Sequence, residues 1–108
     1  MSKRFVSIVN EIVEDASRLE RHFAIIEALS REGTAGIIRL SNITNLPVHK
    51  VRYSLRVLEN SGIIEPTPNG AMLTESVKRR KKSLLEDIER ASVQVSTEFM
   101  KLKAFLKG

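Results

Sequence analysis

The stretch LSNITNLPVHKVRYSLRVLENSGIIEPTPNGAMLT, residues 40–74, decides how this chain is read. Its punctuation is dense. Asn45 tolerates the left-handed backbone that a tight helix exit needs. Pro47 pre-sets the first turn of a new helix, which runs to Asn60 and is ended by Gly62. The spacing of Ile37, Leu40 and Ile43 predicts a short helix over 36–44 just before the turn Thr44–Leu46. After Gly62, the runs Ile63-Ile64-Glu65-Pro66 and Ala71-Met72-Leu73-Thr74 flank Thr67-Pro68-Asn69-Gly70. Two short apolar runs around Asn-Gly predict a hairpin. Pro66 and Pro68 restrict it to a short edge ribbon.

The helix 47–60 has two unlike faces. Steps of 100° put Val48, Val51, Ser54, Leu55 and Leu58 on one side. His49, Tyr53 and Arg56 centre the other, flanked by Lys50 and Arg52. A cationic helix face is usually just a solvated face. Here it backs onto an apolar stripe, follows a tight turn and has no acid before Glu59, so it reads as a contact surface. Arginine forks onto guanine edges, and lysine and tyrosine reach phosphates. Amides at a helix N-terminus add a phosphate site. The wing tip is uncharged, which leaves Thr67, Asn69 and backbone amides for any phosphate contact there.

Working outward, Phe5, Ile8, Val9, Ile12, Val13 and Ala16 mark an amphipathic helix over 3–16. Ser17 with Glu20 forms a capping box that predicts a second helix to Arg31, burying Leu19, Phe23, Ile26 and Leu29 and stopped by Gly33. On the other side, nothing from Glu75 to Lys107 breaks a helix. That span would be a rod of about 50 Å. Val77, Leu84, Ala91 and Phe105 fall on one heptad seam, and Ile88, Val95 and Leu102 on the other. Leu85, Phe99 and Leu106 broaden the stripe, while Lys81 and Glu98 interrupt it. Such a stripe needs a partner surface. Residues Leu84, Ile88, Ala91, Val95, Leu102 and Phe105, helped by Phe5, Ile8, Ile12 and Val13, are therefore expected to pair across a homodimer. The competing arrangement packs the first and last helices together within one chain.

The 108 residues fit one domain: a flanking helix 1–16, a core 17–74 and a C-terminal helix 75–108. The net charge of +5 is local. Residues 47–82 carry Lys50, Arg52, Arg56, Lys78, Arg79, Arg80, Lys81 and Lys82 against Glu59, Glu65 and Glu75, and the flanks balance. A basic patch is a footprint for a polyanion. The run 78–82 encircles a helix, so part of it, Lys78 and Arg79 first, can add phosphate contacts, which deepen salt dependence without reading sequence. Zero cysteines remove disulfides and thiolate chemistry. The N-terminus is too polar for a signal peptide or a membrane span, which points to the cytoplasm. Asn42-Ile43-Thr44, a glycosylation sequon, is then a chance match. His22 and His49 lie on different helices, so no metal is expected. No phosphate loop or nucleophile elbow suggests an enzyme, and no cofactor is implied.

Helix, helix, tight turn, helix and hairpin is the order of a winged helix-turn-helix, mainly α with a small β-hairpin wing. Residues 18–74 resemble the winged-helix transcriptional regulators of the MarR and ArsR kind, and look most like the small stand-alone archaeal members with a dimerising C-terminal helix. The resemblance implies a homodimeric regulator, more often a repressor, bound to double-stranded operator DNA through the helix 47–60. It departs from the common pattern in lacking a basic wing tip. Two alternatives stand beside it: a sequence-tolerant architectural chromatin protein, and a winged-helix protein-interaction module. A small-molecule effector near the dimer interface also stays open, with no residues marking it.

Overall fold

The computed structural model describes residues 2–108, with side chains from Ser7 onward. It divides into two compact units, one ending at Val77 and the other spanning Lys78–Gly108.

The first unit opens with α1, one continuous helix Ser2–Glu32. The break expected at Ser17 is absent. No glycine or proline lies between residues 2 and 32, and a serine inside a helix costs only about 0.5 kcal/mol, less than interrupting the hydrogen-bond ladder. Asp15–Arg18 and Glu27–Arg31 pairs brace adjacent turns. The inward stripe also differs from expectation. Ile25, Ala28 and Leu29 are buried, whereas Leu19 and Phe23 are 51% and 48% exposed. Phe23 precedes Ile25 by two residues, which places it on nearly the opposite side of the helix. His22, Ile25 and Leu29 set the face that packs.

Strand β1 (Thr34–Ala35), unforeseen in the sequence, leads into α2 (Ile37–Thr44) and α3 (Val48–Asn60). Strands β2 (Ile64–Thr67) and β3 (Gly70–Leu73) form the wing. The sheet order is β1-β3-β2, antiparallel throughout. Thr67 pairs with Gly70, so the turn is Pro68-Asn69 rather than Asn69-Gly70. Proline explains the shift. It cannot donate to a ladder, and its fixed φ suits the first turn position. Gly70 instead enters β3 at φ +124°, where an added Cβ would lie 2.4 Å from the Ala35 carbonyl carbon.

The core joins Ile25, Ala28, Leu29, Ala35, Leu40, Val51, Leu58 and Ile64. Three helices, α1 to α3, and strands β1 and β2 contribute to it, so truncating Leu40, which is fully buried, would cost about 2–5 kcal/mol.

The second stretch of helix is not one rod. Helix α4 (Glu75–Arg79) ends at Arg80, whose φ −105° and ψ 21° leave the helical region, and α5 (Lys81–Lys107) begins after it. Five consecutive cations from Lys78 to Lys82 repel one another across a helical turn, which disfavours unbroken helix there. No residue of α5 is buried. Among the described residues, no helix is long and apolar enough to cross a membrane.

Candidate nucleic-acid interface

The geometry begins in the turn between α2 and α3. Asn45 takes φ 60° and ψ 21°, the left-handed exit that its position requires. Ser41 Oγ donates to the Leu46 carbonyl at 2.6 Å, and the Leu46 amide donates to Thr44 Oγ1 at 3.3 Å. Both bonds tie the backbone of the turn to side chains of α2. Pro47 caps α3 from just outside it. Behind α3, Val51, Ser54 and Leu58 are buried, so the rotation of the helix is fixed by packing, and its outer face follows.

That outer face carries His49, Lys50, Arg52, Tyr53 and Arg56, all exposed. Arg18, Arg31, Arg39 and Arg90 each hold an acid. Arg52 and Arg56 have no ion pair or hydrogen bond among the described residues. Their guanidinium groups are therefore available for a phosphate or a base edge. The first acid on the helix is Glu59, beyond both.

Tyr53, on the outer face, also has a contact with α1. Its ring stacks on His22 of α1, with centroids 6.3 Å apart and planes at 25°, and it stays 45% exposed. The His22 Nδ1 shares a 2.9 Å hydrogen bond with Ser54 Oγ. Burial, followed by the charges of Arg21 and Arg18, holds the His22 imidazole below its usual pKa. The pair pins α3 to α1 from behind. The sequence carried one signal of it, a serine inside an apolar stripe, because a buried hydroxyl needs a partner. The partner was not legible, since His22 lies thirty-two residues away.

In the wing, Thr67 is half-buried. Its hydroxyl donates to the Gly70 carbonyl at 2.6 Å and accepts from the Asn69 amide at 3.1 Å. Its role is to shape the turn, which leaves Asn69 as the exposed polar side chain of the tip. Between α3, the start of α2 and the wing lies a cleft of about 460 Å³, with Arg52, Arg56 and Glu59 along one wall. Sequence reasoning did not foresee this cleft, because it depends on how β1 and the hairpin pack.

Lys78 and Arg79 close α4 and are exposed. Of the residues assigned to dimerisation, Phe5 lies outside the residues with described side chains. Ile8, Ile12 and Val13 are exposed on α1, and Leu84, Ile88, Ala91, Val95, Leu102 and Phe105 are exposed on α5. Val77 lies before the interruption at Arg80 and Leu84 after it. No group of three metal-ligating side chains occurs among the described residues.

Residues 18–65 match the family model of winged helix-turn-helix DNA-binding domains. The match begins in α1, spans α2 and α3, and ends inside the wing at Glu65. Comparison with curated proteins gave no match, and neither did comparison with solved structures. Fold and match agree on the architecture, a winged helix-turn-helix, and residues 18–65 are similar to DNA-binding domains of that kind.

Proposed function

We propose that the protein is a homodimeric, sequence-specific transcriptional regulator of the MarR and ArsR kind, acting as a repressor in the cytoplasm without catalysing a reaction. The observation that carries this reading is the exposed face of α3, where Arg52 and Arg56 hold no acid. The dimer reading rests on the exposed apolar positions of α5 and of the N-terminal half of α1, including Phe99 at 38% and Phe105 at 77% exposure. Surface of this kind is stabilised by burial against a second copy, as in a coiled coil. Two copies of α3 would then address half-sites about 34 Å apart.

A gel-shift titration over a salt series tests DNA binding through α3. Duplexes selected from a random pool supply the ligand. The Arg52→Ala/Arg56→Ala variant should lose roughly 2–6 kcal/mol of specific binding, at about 1–3 kcal/mol per bidentate contact. Unchanged binding in that variant removes α3 from the interface. One observation favours a second reading, an architectural protein: the wing tip is uncharged while cations cluster at residues 78–82. Competition with random duplex separates the two. A specificity ratio near one supports the architectural protein, and a ratio above about a thousand supports the regulator.

A further inference from the structure

We infer that the basic run Lys78–Lys82 is a contact for the phosphate backbone of duplex DNA, and that this contact closes the interruption at Arg80, joining α4 and α5 into one helix. The partner rests on the DNA binding proposed above, whereas the balance at Arg80 does not.

Nothing in the local sequence encodes the break. No glycine or proline lies between Glu75 and Leu85, and lysine and arginine are good helix formers. Arg80 occupies the cap position of α5 without a side-chain hydrogen bond, and the first turn of α5 holds no acid. Lys81 and Lys82 stand there instead, at the helix end where the backbone dipole disfavours cations. Local preferences therefore favour continuous helix, and like charge opposes it. Glu75 lies three and four residues before Lys78 and Arg79, within α4, and Glu86 lies four after Lys82, within α5. Those attractions are the same in either state. Across Arg80, the charged pairs at helical spacing are Lys78 with Lys81, Lys78 with Lys82 and Arg79 with Lys82, and all three repel.

The three repulsions together shift a helix equilibrium by about three- to twelvefold. A change of that size is within reach of counter-charge. In continuous helix, steps of 100° bring Lys78, Lys81 and Lys82 onto one face. The same alignment that repels in the free chain suits a row of phosphates. The interruption at Arg80 breaks that alignment, so duplex binds the closed form more tightly and draws the equilibrium toward it.

The test follows the Cα chemical shifts of Arg79, Arg80 and Lys81 in isotope-labelled full-length protein. A random-sequence duplex is the probe, since a backbone contact reads no base. In low salt the free chain should show a non-helical shift at Arg80, and saturating duplex should make it helical. Without duplex, about 1 M NaCl, which screens charges beyond about 3 Å, should raise the ratio of closed to open about three- to twelvefold. Lys81→Gln/Lys82→Gln, a change at exposed positions, removes all three repulsions and should do the same in low salt. Its duplex binding should also depend less steeply on salt, with the slope reduced by about two. A free chain already helical at Arg80, a ratio unmoved by salt or by the variant, or bound duplex with Arg80 unchanged each overturns the inference and leaves the proposed function standing. A wild-type salt slope in the variant overturns the backbone contact. Failure of the wild-type chain to bind any duplex overturns the proposed function and this partner together.

Discussion

Replacing Gly70 by alanine should destabilise the winged unit far more than the same change at Gly62, and the structure says by how much. Both glycines have positive φ, +75° at Gly62 and +124° at Gly70. A Cβ on Gly62 meets nothing within 4 Å, so its cost is the backbone conformation alone, about 1–2 kcal/mol. A Cβ on Gly70 lies 2.4 Å from the Ala35 carbonyl carbon, 2.5 Å from its oxygen and 2.6 Å from the Gly36 nitrogen. These are backbone atoms, so no side-chain rotation relieves the overlap. β1 must move away from β3, giving up the pairing of Thr34 with Met72 and of Ala35 with Ala71. Strain of roughly 1–3 kcal/mol plus two hydrogen bonds at about 1 kcal/mol each gives a loss of about 3–5 kcal/mol. Thermal melts at fixed protein concentration check it. At about 4–8 °C per kcal/mol for a unit of this size, Gly70→Ala should lower Tm by more than about 12 °C, and Gly62→Ala by about half as much or less. Equal shifts for the two variants would refute the reasoning, since the contact with β1 would then carry no weight.

Other outcomes follow from individual residues. Asn45→Gly should hold stability within about 0.5 kcal/mol, whereas Asn45→Ala should lose about 1–2 kcal/mol in urea unfolding, because only the first tolerates φ 60°. His22 is favoured neutral in the fold, below its ordinary pKa of 6.5. Its contribution is therefore intact above pH 6.5 and declines as pH falls below that value. Tm should drop between about pH 7 and about pH 5, and drop less steeply in His22→Gln, so a parallel pH profile for the two proteins counts against the assignment. The Leu84→Glu/Leu102→Glu variant should sediment as a monomer at concentrations where the wild-type chain is a dimer, and a wild-type monomer at about 100 µM would end the homodimer reading.

The helix-turn-helix was legible because its signals are local. Asn45, Pro47 and Gly62 each impose a backbone state on their own neighbourhood, and α2 and α3 begin and end where those residues place them. What failed was decided by alternatives that the sequence does not rank. Ser17 and Glu20 fit a helix start, yet equally fit the interior of α1, and the continuous ladder won. β1 has two residues between Gly33 and Gly36, too short for any alternation to register. The interruption at Arg80 leaves no breaker residue to notice, only a run of like charge. Within the site, the outer face of α3 was readable from its periodicity, because the apolar back fixes the rotation. The stacking of Tyr53 on His22 and the cleft beside Arg52 were not, since each joins segments far apart in the chain.

The turn at Pro68 and Asn69 is shaped by its neighbours. Thr67 closes it with two hydrogen bonds, and Gly70 seats it against β1. The Asn69 side chain takes no part in this and projects outward. The chain also contains no cysteine. Asn69→Cys would thus create a unique attachment point on an undisturbed scaffold. A spin label there could measure the separation of the two wing tips in a dimer. A tethered cleavage reagent could map, base by base, which stretch of a duplex the wing overhangs.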